Sequence, residues 1–175
     1  MTMQELFNNV ESAISQYEQA LSQEEMIYQG ISEAQNEISY YSSVASSAED
    51  ASQQKAALQQ MKSAALRLQQ YQNQLQQVQN AKAQALRYLQ ATRAELVNVI
   101  NSIENKLPKI DQSIRTFQQM ASLSFGGSSA SNQLGQLQAK RDEYQQYLND
   151  AYSLTERIDS VLNGSGSQPR KVLRR

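Results

Sequence analysis

The chain has 175 residues and a formal charge of −1, with 39% apolar and 19% charged residues. It contains no Cys and no His, which excludes disulfides, thiolate metal sites, cysteine nucleophiles and the commonest general base and transition-metal ligand. Two Pro and six Gly set against 28 Gln and 19 Ala favour long helices over sheets.

The first segment is a ladder of steps of four and three: Met3, Phe7, Val10, Ile14, Tyr17, Leu21, Glu24, Tyr28, Ile31, Gln35, Ile38, Ser42 and Ala45. That spacing keeps one seam toward a partner helix and predicts a helix over about residues 3–47. A polar cluster follows, Ser46, Ser47, Glu49, Asp50 and Ser52. It reads as a tight helix–helix turn with Ser47 or Asp50 capping the next helix, or as uninterrupted helix; the charge pattern favours the turn. The second ladder passes through Leu58, Met61, Ala65, Leu68, Gln72, Leu75, Gln79, Lys82, Leu86, Leu89, Arg93, Leu96, Ile100 and Ile103 to Leu107, weaker at its middle, where Tyr71 and Val78 lie just beside it. A helix over 51–107 is expected to end or kink at Pro108 and to resume over 109–124. Ser124 to Ser131, with Gly126-Gly127, predicts a loop. A last helix is expected over 131–163, stopped by Asn163-Gly164, and residues 164–175 read as a flexible basic tail.

Charge is segregated. Residues 1–50 hold nine acids and no base, whereas 51–100 hold six bases and one acid. Folding the first helix back about residue 49 sets Glu5 opposite Arg93, Glu11 opposite Arg87, Glu18 opposite Lys82, Glu33 opposite Arg67 and Glu37 opposite Lys62. Opposite charges beside a seam select orientation and partner, although each exposed pair contributes only ~0–1 kcal/mol. The same complementarity could instead join different chains. The expected fold class is therefore all-α, an elongated antiparallel coiled-coil hairpin extended to a three- or four-helix bundle, in a single domain over 1–163. Arms of about 45 residues would span roughly 65–70 Å. Tyr40-Tyr41 and the Tyr144, Tyr147, Tyr152 group are candidates to seal helix contacts with their hydroxyls at the rim.

No constellation for catalysis emerges. Glu24-Glu25, Glu49-Asp50 and Asp142-Glu143 are adjacent carboxylates, which diverge around a helix rather than converge on a metal. Gly126-Gly127 lacks the Lys and the strand of a phosphate loop, and the serines have no base beside them. The chain is expected not to be an enzyme, with no cofactor, no metal and no catalytic residue. It reads as a structural or adaptor protein that works by protein–protein contact or self-association, as a homo-oligomer or a subunit of a virion, tail or secretion apparatus. The alternative is a nucleic-acid-associated structural protein using Lys55, Lys62, Arg67, Lys82, Arg87 and Arg93, with Arg170, Lys171, Arg174 and Arg175 as a candidate phosphate or anionic-surface contact. The N-terminus lacks a basic segment followed by an apolar run, and no stretch has ~18 consecutive apolar residues. Neither a signal peptide nor a transmembrane segment is expected, and the location is expected to be cytoplasmic or within a particle.

Overall fold

The computed structural model describes residues 1–123 and 127–164. Among these it contains three helices and no strand: α1 (Met3–Ser47), α2 (Ala51–Ser122) and α3 (Gly127–Gly164). The protein is all-α, and the turn predicted around residue 49 separates α1 from α2.

Local chemistry explains the helix starts. Thr2 and Glu5 form a reciprocal capping box: the Glu5 amide donates to Thr2 Oγ1 at 3.1 Å and the Thr2 amide donates to Glu5 Oε2 at 2.8 Å. Glu5 is thus a cap rather than a partner of Arg93. At the turn Asp50 is the N-cap, its Oδ1 accepting from the Gln53 amide at 2.8 Å. Ser47, the other capping candidate, instead bonds back to the carbonyl of Ser43 at the end of α1.

Two boundaries differ from expectation. Pro108 lies inside α2 and ends nothing, so the segments expected at 51–107 and 109–124 are one helix. Proline removes one amide donor and crowds the carbonyl four residues back. Its own side chain faces solvent while Ile103 and Ile114 on either side are buried, so packing holds the helix across it. Helix α3 begins at Gly127, earlier than the expected residue 131. Residues 124–126 of the predicted loop, and 165–175 of the predicted tail, lie outside the described residues.

Contacts divide the chain into two compact units, where the sequence reading treats 1–163 as one bundle. The first comprises Met1–Ser12 and the described residues from Tyr88 on, so that α1, α2 and α3 all contribute. Three helices enclose an interior there. Val10, Leu89, Leu96, Leu154, Ile158 and Val161 are sealed from solvent, with Ile100, Ile103, Leu148 and Ala151 beside them. Ion pairs tie the helices together: Glu11 with Arg157 at 2.9 Å, Asp159 with Arg93 at 2.5 Å, and Asp111 with Arg141 at 2.6 Å.

The second unit, Ala13–Arg87, is a hairpin of α1 and α2 alone. One row on each helix of its seam is rich in small residues. Ala20, Ala34, Ala45, Ala57, Ala64 and Ala85 are buried, together with Ile14, Tyr17 and Ile27. On each helix one of the two seam rows is the expected one. Tyr17, Glu24, Ile31, Ile38 and Ala45 face inward on α1, and Met61, Leu68, Leu75 and Lys82 do so on α2. The other row lies one residue earlier than expected. It is Ala13, Ala20, Ile27, Ala34 rather than Ile14, Leu21, Tyr28, Gln35, and Ala57, Ala64, Tyr71, Val78, Ala85 rather than Leu58, Ala65, Gln72, Gln79, Leu86. Ile14 alone of the displaced row is sealed, while Tyr28 is 50% and Leu58 51% exposed. Small side chains let two helices approach closely, and close approach is what a seam without a third helix can gain from packing.

Candidate functional site

The contact that shows this closeness best is between Gly30 and Tyr71. A Cβ placed on Gly30 would stand 2.5 Å from the Tyr71 ring, closer than side-chain carbons approach. The missing side chain makes a notch in α1 and the aromatic ring of α2 fills it. Beside it lies an open groove of about 410 Å³ whose walls include Met26, Ile27, Tyr71, Gln74 and Val78. Met26 is 67% exposed at its lip.

Acidic α1 does meet basic α2 in the hairpin, but not at the expected residues. Arg67 pairs with Glu37 rather than Glu33, and Lys82 with Glu24 at 3.1 Å rather than Glu18. The displacement has one direction and a physical cause. A helical side chain leans toward its own N-terminus. In an antiparallel hairpin the α1 side chains lean away from the turn and the α2 side chains lean toward it. A carboxylate on α1 therefore meets a base whose Cα lies farther from the turn than matching Cα heights would place it. Glu24 and Lys82 occupy seam positions, and their side chains are only 15% and 27% exposed. The Arg67 hydrogen bond holds the Glu37 carboxyl below the ordinary carboxylate range, and the same bond raises Arg67.

The remaining expected pairs are replaced by contacts with α3. Arg93 joins Asp159, and Glu11 joins Arg157 rather than Arg87. Sequence reasoning missed these because it matched α1 with α2 only. Of the six basic residues proposed for nucleic acid, Arg67, Lys82 and Arg93 are engaged with carboxylates, while Lys55, Lys62 and Arg87 have no ion pair among the described residues. Arg170, Lys171, Arg174 and Arg175 lie outside the described residues.

No known family, curated protein or solved structure matches this chain.

Among the described residues no three carboxylates gather to hold a metal ion, and no helix is long and apolar enough to cross a membrane. In the three-helix unit the Tyr144 ring lies between two ammonium groups, Lys106 Nζ at 5.6 Å and Lys140 Nζ at 5.8 Å from its centroid. The exposed Tyr152 hydroxyl donates to the Glu104 carboxylate, which raises the phenol above its ordinary value. Tyr40 and Tyr41 meet edge to face at 5.0 Å, with Tyr41 half-buried and Tyr40 exposed. Tyr144 and Tyr152 thus link α3 to α2, whereas Tyr40 and Tyr41 meet within α1. Large apolar side chains are exposed in both units: Met26, Tyr28, Tyr40, Leu58 and Leu66 of the hairpin are each at least half exposed, and Met1, Phe7, Met120 and Leu123 of the three-helix unit are exposed as well.

Proposed function

We propose that this chain is a non-catalytic helical scaffold or adaptor that acts through protein–protein contact, as a subunit of a larger assembly in the cytoplasm or within a particle. One observation carries the reading. The hairpin buries a row rich in alanine between its helices and leaves large apolar side chains on its outer faces. A two-stranded coil needs apolar residues at two rows only, so further apolar positions on the outside supply a surface for another helix. Gln covers much of the rest and can hydrogen-bond across such a contact without the desolvation cost of a charge.

Photocrosslinking in the native cell tests this. A photoreactive residue at Tyr28, Leu58 or Leu66 is expected to give discrete adducts with protein, while one at the exposed Asn98 gives fewer. Diffuse or absent adducts at all three positions overturn the reading.

A nucleic-acid-associated role is the second reading, because Lys55, Lys62 and Arg87 keep on one helix cationic groups unpaired among the described residues. Filter binding at low salt tests it, and no retention of duplex or single strands there sinks it.

A further inference from the structure

We infer that a second copy of this chain docks on the side of the hairpin unit that carries Tyr28 and Leu58, the acidic edge of one copy lying against the basic edge of the other. The inference rests on the protein-contact reading above and names its partner.

The side is defined by a contact across the seam, the Gln79 amide donating to the Tyr28 hydroxyl at 3.4 Å. Residues whole heptads away from these two lie on the same side. On α1 that adds Ile14, Leu21, Gln35 and Ser42; on α2 it adds Ala51, Leu58, Ala65, Gln72 and Leu86. Apolar residues thus continue outside the two seam rows at Leu21 and Tyr28 on α1 and at Leu58, Ala65 and Leu86 on α2, as on a helix in a bundle of more than two members. Tyr28 and Leu58 among them are at least half exposed.

The outer edges of this side carry opposite charge. Glu18 and Glu25 stand three residues before Leu21 and Tyr28, and Lys55 and Lys62 three before Leu58 and Ala65, so each is the surface neighbour of a row residue. All four are exposed, and none makes an ion pair or hydrogen bond within the described residues. Residues 13–47 contain no base and 51–87 contain no acid. A second copy with α1 against α1 would place carboxylate on carboxylate and, on the other edge, lysine on lysine. With α1 against the partner's α2, carboxylate meets lysine where residues 18–25 of one copy oppose 55–62 of the other. A second copy is therefore a partner whose charge matches this side without further assumption. Tyr28 lies across from Gln79, so residues 18–25 and 55–62 stand far apart along the hairpin and oppose each other only when the copies are staggered; the result is an open row.

Size-exclusion chromatography with light scattering on the full chain tests this at low salt and at roughly 0.5 M, where surface charges are screened. The expected mass at low salt is twice the 19.7 kDa of the chain or a higher multiple, shrinking with salt. Glu18→Lys with Glu25→Lys is expected to weaken association about tenfold, and Lys55→Glu with Lys62→Glu to do the same, as like charges then face each other. All four together restore it. Because none of the four has a partner within the hairpin, helicity by circular dichroism stays unchanged. A monomer at micromolar concentration and low salt overturns the inference, as does association indifferent to the reversals or not restored by the fourfold variant. A monomer whose Tyr28 or Leu58 crosslinks run to a different protein sinks self-association and leaves the protein-contact reading standing.

Discussion

The two units solve the same packing problem with different materials. In the three-helix unit Leu89, Leu96, Leu154 and Ile158 are sealed, because three helices enclose a space wide enough for branched side chains. The hairpin has no such space. It draws two helices together over alanines and a glycine notch, and of its large apolar side chains only Ile14 is sealed to the same degree. A three-helix interior gains stability from apolar area. A two-helix seam gains less and depends on features that select register: the ring of Tyr71 over Gly30, and the Glu24–Lys82 and Glu37–Arg67 pairs. Apolar residues that the seam has no room for are left on the outside, available for contact.

Truncation in the three-helix unit is the strongest test of this contrast. Leu154→Ala or Ile158→Ala should lower stability by about 2–5 kcal/mol in denaturant unfolding, the range for sealed side chains that leave a cavity. An equal loss from Leu58→Ala in the hairpin would erase the distinction. Next is the seam ion pair. Lys82→Met leaves the Glu24 carboxylate little exposed and without its cation, and should cost between the ~0–1 kcal/mol of an exposed pair and the ~3–5 kcal/mol of a buried one. Adding Glu24→Leu should recover most of that loss.

Glycine gives a test by sign. Gly30→Ala forces Tyr71 to move, an overpacking cost of about 1–3 kcal/mol that exceeds the ~0.5–1 kcal/mol alanine gains in helix propensity. Gly135→Ala in α3 meets nothing within 4 Å, so the propensity gain of ~0.5–1 kcal/mol should appear alone and raise the melting temperature. Destabilisation by both, or by neither, refutes the close-approach account of the hairpin.

The smallest expected effect is with pH. Because Arg67 depresses the Glu37 carboxyl in the folded chain, its contribution is complete above the ordinary carboxylate range and is lost as pH falls through the depressed value. The difference in melting temperature between the natural chain and Glu37→Gln should therefore shrink on acidification, and a difference that persists at low pH would assign it to packing.

Much of the fold was legible in the residues. The ladder from Met3 to Ala45 and the polar cluster before Ala51 placed α1 and the turn, because heptad spacing and capping chemistry are local. The second seam row was not legible. Periodicity weighted by hydrophobicity prefers Leu58 and Leu86 over Ala57 and Ala85, whereas close approach prefers the reverse. Whether the helix ends at Pro108 or passes through it was not legible, because local chemistry disfavours Pro within a helix, while burial of Ile103 and Ile114 on either side is a tertiary effect. The candidate site was legible only as exposed ladder positions without names, since which apolar residues face outward depends on that second row.

Sequence alone determined that the protein is helical, where α1 begins, where the chain turns back, and that its acids and bases are segregated between helices. These follow from spacing, capping and composition, which act over a few residues. Tertiary structure decided which charges meet, which apolar rows are covered, and that Glu11 and Arg93 belong with α3. Those outcomes turn on the lean of side chains and the distance between helices, quantities that exist only once two helices share a surface.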